Sequence, residues 1–199
     1  MRSFVIAVVA SAAIIGLFSP AAQAAEPAGD ARSFVERFGS RVVALVKSSD
    51  IGVEEQQKRL QMLLLDNVDF ERIGRYILGD HWSESTPEQR SEYQSLFVRY
   101  ALALFSRTLL KEGVEGFAVV GQDNLKGSSQ ALVHTSIRNP RGETLKWSWQ
   151  VDDSNGHFRA VDLVMNGVSL VKTYRAEIGS VVANLGMDGL LKILWIKSS

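Results

Sequence analysis

The chain contains no cysteine, and this absence excludes several kinds of structure and site. There can be no disulfide framework, iron–sulfur cluster, thiolate zinc site or cysteine nucleophile. A lipid-modified N-terminus is excluded too, because that modification needs a cysteine directly after a signal peptide. A chain of this length buries about 70% of the surface that its unfolded form exposes. It therefore does not depend on covalent cross-links for stability.

An excess of charge of one sign is also lacking, since 22 basic residues are balanced by 22 acidic ones. Nucleic-acid-binding domains are usually strongly basic and carry Lys and Arg clustered on one face. No block of like charges is present that would form an acidic or basic tail. Charge therefore gives no indication of a nucleic-acid partner.

Signals for catalysis and for cofactors are equally scarce. The three histidines are His81, His134 and His157, and none has the spacing of a metal site. The G-x-S-x-G elbow, the P-loop and the dinucleotide fingerprint are absent. Asp152 and Asp153 precede Ser-Asn-Gly and are better explained as turn residues than as catalytic carboxylates. We therefore expect no enzyme, no metal site and no cofactor.

The first 24 residues have the features of a cleavable signal peptide. Arg2 precedes an apolar run from Phe4 to Phe18, and Ala22-Gln23-Ala24 fits an A-x-A cleavage site. The run is shorter than the ~20 residues that a membrane-spanning helix needs. We expect residues 1–24 to be removed and residues 25–199 to form one exported domain.

A long amphipathic helix is the strongest pattern in the rest of the chain. Thr86 can cap it, Pro87 suits its first position, and Gln89 completes a capping box. Apolar residues then recur at helical spacing as far as Leu109, and Gly113 is a natural stop. Three shorter helices are predicted before it, over residues 31–48, 53–65 and 69–78.

After Gly113 the period of the apolar residues changes from 3.6 to 2. This change predicts four strands, over residues 116–120, 130–137, 143–151 and 157–165. Short links with turn-forming residues favour an antiparallel meander. In the third strand Trp147 and Trp149 share one face while Lys146 and Ser148 share the other, which is typical of a sheet with one buried face.

Two helices are predicted after the strands, one capped by Ser169 and ending near Leu185, the other starting at Asp188. The order of elements predicts an α+β fold, in which N-terminal and C-terminal helices cover a twisted four-stranded antiparallel sheet. Large apolar side chains on the long helix and the sheet allow two interpretations. They form an ordinary packed core, or they enclose an elongated apolar ligand, and periodicity cannot separate the two.

Four landmarks, in order along the chain, resemble the MlaC family of periplasmic phospholipid-binding proteins, also called the toluene-tolerance family. They are the helix start Thr86–Arg90, the hairpin Asn139–Gly142 leading into Leu145–Trp149, the segment Val161–Ser169 and the segment Gly186–Leu190. One departure is Asn166, since the family usually has glutamate there. The HpnM proteins of hopanoid-producing bacteria share the same pattern.

This resemblance implies a soluble periplasmic carrier without enzymatic activity, whose only bound group is its phospholipid cargo. Its partners would be an outer-membrane lipoprotein complex and an inner-membrane ABC transporter with an MCE-domain subunit. The carrier, a monomer, would move phospholipid between them and maintain outer-membrane lipid asymmetry. Two acyl chains with about 30 methylenes represent on the order of 20 kcal/mol of burial energy. The alternatives are a hopanoid-associated, HpnM-like carrier and a structural or adaptor protein with a solid core.

Ten residues are predicted to form the wall of the lipid pocket. They are Leu96, Phe97, Tyr100, Leu104, Val133, Trp147, Trp149, Val151, Leu163 and Met165. Val164 is the alternative to the last two, because the phase of that strand is not determined by the pattern. Lys111, Arg138, Arg141 and Lys146 lie near element ends and could meet a phosphate headgroup, although a solvated role is the simpler interpretation.

Overall fold

The structure is a computed structural model that describes residues 30–153 and 156–198. The predicted signal peptide, residues 1–24, lies outside the described residues. Five helices precede an antiparallel sheet, and a further helix follows it. This order confirms the predicted α+β class.

The helices before the sheet are α1 (Ala31–Lys47), α2 (Val53–Asn67), α3 (Phe70–Leu78), α4 (His81–Glu84) and α5 (Pro87–Glu112). The predicted cap of α5 is present. Thr86 Oγ1 accepts a hydrogen bond from the Gln89 amide at 3.2 Å, and Gln89 Oε1 accepts one from the Thr86 amide at 3.1 Å. Gly113 ends the helix with a φ of 72°, a backbone region that favours glycine.

The sheet consists of β1 (Gly116–Asn124), β2 (Gln130–Arg138), β3 (Thr144–Asp152), β4 (Arg159–Met165) and β5 (Val168–Ser169). Each strand pairs antiparallel with the next, so the sheet is a meander in sequence order. Four strands were predicted and five are present in the described residues. The prediction missed β5, because this strand has only two residues and shows no alternation of its own.

The turn between β4 and β5 explains the departure at Asn166. Asn166 has a φ of 50° and Gly167 a φ of 84°. Two-residue hairpin turns with positive φ at both positions strongly favour Asn-Gly. Asparagine therefore suits this backbone better than glutamate would.

The last helix, α6 (Leu170–Ser198), is kinked at Gly186, whose φ of 70° and ψ of 177° are not helical. The two predicted C-terminal helices are thus the two arms of one kinked element. Ser169 Oγ accepts a hydrogen bond from the Lys172 amide at 3.1 Å and caps the first arm. By length and composition alone, α6 is one helix in the described chain that could cross a membrane.

Two clusters of buried side chains form the core. The larger one joins α1, α2, α3, α5 and both arms of α6, and includes Leu60, Ile77 and Tyr93, each at most 1% exposed. The smaller one lies between α1 and the sheet, where Val35 packs with Val133 and Val151. Between these clusters the helices and the sheet do not meet completely.

Candidate functional site: an apolar cavity between helices and sheet

A cavity of about 330 Å³ occupies the space between the two clusters. Its volume falls in the range of sites for small ligands, about 300–1,000 Å³. From α5 it is lined by Phe97, Tyr100, Ala101, Leu104, Phe105, Thr108 and Leu109, and from α6 by Leu170, Val171, Tyr174 and Ile178. The sheet contributes Phe117, Ile137, Trp147, Trp149, Ala160, Asp162, Leu163 and Met165.

The two halves of α5 have different surroundings. In the first half Tyr93 is fully buried, and its hydroxyl donates to the Gly74 carbonyl of α3 at 3.0 Å. Gly74 allows α3 and α5 to pack closely at this point, because a Cβ there would lie 3.0 Å from the Phe97 ring and closer still to Gln94. In the second half the stripe from Phe97 to Leu109 faces the cavity. One helix is thus both part of the core and a wall of the site.

The sheet presents its largest side chains to the cavity. Trp147 lies opposite Met165 in the β3–β4 pair, and Trp149 lies opposite Leu163. The Trp149 ring meets Phe38 of α1 edge-on, with the ring centroids 5.3 Å apart. Leu163 and Met165 line the cavity, whereas Val164 does not. The structure therefore determines the phase of β4 that the sequence pattern left open.

Seven of the predicted wall residues come together around the cavity: Phe97, Tyr100, Leu104, Trp147, Trp149, Leu163 and Met165. Whether they contact lipid stays a prediction. The other three predicted residues do not line it. Val133 and Val151 are 0% exposed beneath α1, on the same sheet face as the tryptophans but covered by a helix. Leu96 is buried within the helical cluster.

Sequence reasoning missed the walls supplied by the first and last helices. Phe38 and Val42 of α1 line the cavity, as do Leu170, Tyr174 and Ile178 of α6. Each set lies on an apolar stripe that the helical periodicity shows. The stripe indicates that one face of each helix is buried, but not whether that face packs against the core or lines a cavity. Periodicity alone therefore could not assign these residues to the site.

Polar groups are rare among the described residues that line the cavity, and Asp162 is the one with a charged side chain. Its carboxylate accepts hydrogen bonds from Ser169 Oγ and, at 3.1 Å, from the Val171 amide. These bonds tie β4 to the start of α6. Asp162 therefore serves the architecture of the wall, and the remaining surface is almost entirely apolar.

Two tyrosine side chains, Tyr100 and Tyr174, add a hydroxyl pair to this wall. Burial is the main cause that raises the pKa of Tyr174 to about 12, and interactions with Tyr100 and Glu177 add to the effect. The Tyr174 phenol therefore stays neutral at physiological pH.

The four basic side chains that could meet a phosphate headgroup lie outside the cavity. Lys111, Arg138, Arg141 and Lys146 are all exposed. Arg141 pairs with Glu112 at 3.3 Å, and Arg138 lies 3.8 Å from Glu115. In the described chain none of the four lines the cavity. The geometry gives no specific headgroup site among them.

The histidines are dispersed. His81 Nδ1 lies 2.7 Å from the Glu84 carboxylate on α4. His134 lies on the outer face of the sheet, 2.8 Å from Ser148 Oγ and 3.0 Å from Asp123. In the part of the chain that the structure describes, no group of three His, Asp or Glu side chains could hold a metal ion.

Asp152, at the end of β3, is the one carboxyl group among the described residues whose pKa we find strongly shifted. It is 4% exposed and accepts hydrogen bonds from Ser129 at 2.6 Å and Gln130 at 2.8 Å, together with an ion pair from Arg72 of α3. Burial alone would raise its pKa, but these bonds outweigh burial and lower the pKa to about 2. The site ties α3 to the sheet away from the cavity.

The helices and the half-buried sheet of this α+β protein enclose an apolar cavity of the kind that can hold a hydrophobic ligand away from water. The family model of the MlaC protein matches residues 36–195, so the chain belongs to the MlaC family. This finding confirms the resemblance drawn from the sequence.

The fold is also similar to that of a phospholipid-binding protein from Ralstonia solanacearum, whose structure was solved in complex with a phospholipid. The TM-score is 0.74, with 21% sequence identity over 85% of this chain and 97% of the other. At this identity the likeness shows the fold alone. It confirms the α+β architecture.

Proposed function

We propose that this protein binds phospholipid and carries it through water, with the acyl chains in the apolar cavity. The observation that carries the proposal is the cavity itself, in a chain of the MlaC family. The Ralstonia solanacearum protein of the same fold was solved with phospholipid, which supports this choice of ligand. A structural protein with a solid core would have no such space.

Affinity in this proposal comes from the apolar walls. Each methylene removed from water contributes about 0.8 kcal/mol, so even partial burial of one chain outweighs the cost of ordering it. The seven predicted wall residues that line the cavity would contact the chains. A charged headgroup would stay in solvent, because burying it without a partner is costly.

The cellular role follows as a further part of the proposal. The protein, a monomer without enzymatic activity, is exported to the periplasm by the signal peptide of residues 1–24. Residues 25–199, as a single domain, move phospholipid between an outer-membrane lipoprotein complex and an inner-membrane ABC transporter with an MCE-domain subunit. This transport maintains outer-membrane lipid asymmetry. Family membership supports each step.

The deciding experiment is organic extraction of the protein purified from bacterial cells, followed by mass spectrometry. We expect phospholipid in a constant ratio to protein. Recovery of hopanoid instead would favour the HpnM-like alternative. A folded sample that carries no lipid at all would contradict the proposal.

A matched pair of variants assigns the bound lipid to the cavity. Leu104 lines the cavity and is only partly buried, so Leu104→Asp places a charge in the wall with little cost to the fold. Val120 is 64% exposed on β1 and serves as the control, Val120→Asp. We expect loss of bound phospholipid in the first variant and normal occupancy in the second. Phe97 is less suitable, since it is 5% exposed and stacks on Tyr93.

A further inference from the structure

The four tyrosines of the chain divide into two kinds. Tyr93 is buried with its hydroxyl bound to a backbone carbonyl, and Tyr76 is 47% exposed with its ring under Arg175. Tyr100 and Tyr174, in contrast, both line the apolar cavity. They come from α5 and α6, which pack against each other, so the two rings approach from opposite helices.

Both rings of this pair are packed against the helical cluster, and neither side chain is fully buried. Tyrosine is suited to such a position, because its ring is apolar while its hydroxyl needs a polar partner. A diacyl lipid has the same change in polarity where its chains meet the ester linkages. The tyrosine pair therefore offers partly exposed hydroxyls within an otherwise apolar wall, where ester groups would fit.

We infer that Tyr100 and Tyr174 form a polar subsite of the cavity, in which their hydroxyls donate to an ester carbonyl of the bound lipid. This inference rests on the proposed function and makes the ligand an ester-linked glycerolipid. Apolar walls alone discriminate weakly between hydrocarbons of similar size. A built hydrogen-bond donor discriminates more strongly, because the wrong ligand leaves it unpaired.

The test compares two probes that differ only in the carbonyl groups: dioleoyl phosphatidylglycerol, and its dioleyl ether analogue with the same phosphate and glycerol. Binding to delipidated protein is measured by displacement of a fluorescent phospholipid. The variants are Tyr100→Phe and Tyr174→Phe, which keep the rings. Tyr76→Phe is the matched control, because it removes a hydroxyl outside the cavity.

We expect Tyr100→Phe to weaken binding of the ester probe about 3- to 10-fold and to leave the ether probe unchanged. Tyr174→Phe should weaken binding of the ester probe in the same direction, and Tyr76→Phe should have no effect. Thermal unfolding followed by circular dichroism confirms that each variant is folded.

Two results would overturn the inference while the proposed function stands. One is an unchanged affinity of Tyr100→Phe for the ester probe. The other is an equal loss for both probes, which would place the hydroxyl against the phosphate or glycerol instead. If the wild-type protein bound neither probe, the proposed function would fail together with the inference.

Discussion

The inner face of the sheet has a filled half and an open half. The filled half consists of Ala131, Val133, Val151 and Ala160, which pack against Ala31, Phe34 and Val35 of α1, and Ala160 also borders the cavity. The open half consists of Trp147, Trp149, Leu163 and Met165, which face α5 and α6 across the cavity. Both halves lie on the same strands and follow the same alternation.

The difference lies in the size of the side chains and in the helix that covers them. Alanine and valine in the filled half let α1 approach closely, so the space closes and Val133 and Val151 are 0% exposed. Bulky residues in the open half hold the opposing helices at a distance, and no side chain of the described residues fills the remaining gap. Large apolar residues can therefore keep a cavity open as well as close one.

The largest expected effect is a charge in the filled half. Val133→Asp would bury a carboxylate without a partner, so we expect a loss of about 4 kcal/mol or more in the free energy of unfolding. Urea denaturation measures it. Leu104→Asp, on the wall of the open half, should lose clearly less, because water reaches its side chain. Equal losses would show that the two halves do not differ in packing.

The boundary between the halves is Gly39 of α1, where a Cβ would lie 2.2 Å from the Phe117 ring. Gly39→Ala should push that ring toward the cavity, which it lines. Alanine gains about 1 kcal/mol of helix propensity, but the displaced ring costs about 1–3 kcal/mol. We expect a modest net loss of stability and reduced lipid occupancy. Gly52→Ala is the control, because its Cβ would meet nothing within 4 Å.

The filled half is also secured by Asp152, and this contact should depend on pH. Its pKa is about 2 in the folded protein and near 3.8 when unfolded, so the unfolded chain takes up the proton first as pH falls. The stabilisation is complete above about pH 5 and is lost progressively as the pH falls through about 4 toward 2. We expect the Asp152 carboxylate to contribute on the order of 1–2 kcal/mol to the free energy of unfolding, since Arg72 is partly solvated.

Urea unfolding at pH 6, 4 and 2.5 tests this expectation. Asp152→Asn should be less stable than the wild type at pH 6, and the difference should shrink toward pH 2.5. A difference that stays constant across this range would show that the carboxylate does not carry the effect.

The smallest effect on stability is expected from filling the open half. Leu104→Trp adds a ring where space is available, so we expect stability to change by less than about 1 kcal/mol. Lipid occupancy, measured by extraction and mass spectrometry, should fall sharply. Leu125→Trp, in the loop after β1, is the control and should keep its lipid. Full occupancy in Leu104→Trp would mean that lipid does not use this part of the cavity.

Features that depend on neighbouring residues could be predicted from the sequence. The capping box of α5 involves only Thr86 and Gln89, and the alternation in β3 placed Trp147 and Trp149 on the buried face. β5 was missed because two residues carry no period. The kink at Gly186 was recognised as a break between two helices.

The boundary of the cavity could not be predicted, because it depends on which helix covers which part of the sheet. Val133 and Trp149 are paired across β2 and β3 and share a face, yet α1 covers only the first completely. Leu96 and Phe97 are neighbours on α5, but only Phe97 reaches the cavity. Periodicity describes each element separately, whereas the cavity is a property of how the elements pack.

The kink at Gly186 limits how much straight apolar helix this chain presents. Its φ of 70° and ψ of 177° fall in a region that is essentially restricted to glycine. At 1.5 Å per residue the first arm, residues 170–185, is about 24 Å long, less than the ~30 Å hydrocarbon thickness of a bilayer. A single glycine therefore divides an element that is apolar enough to span a membrane into two arms, each too short to do so.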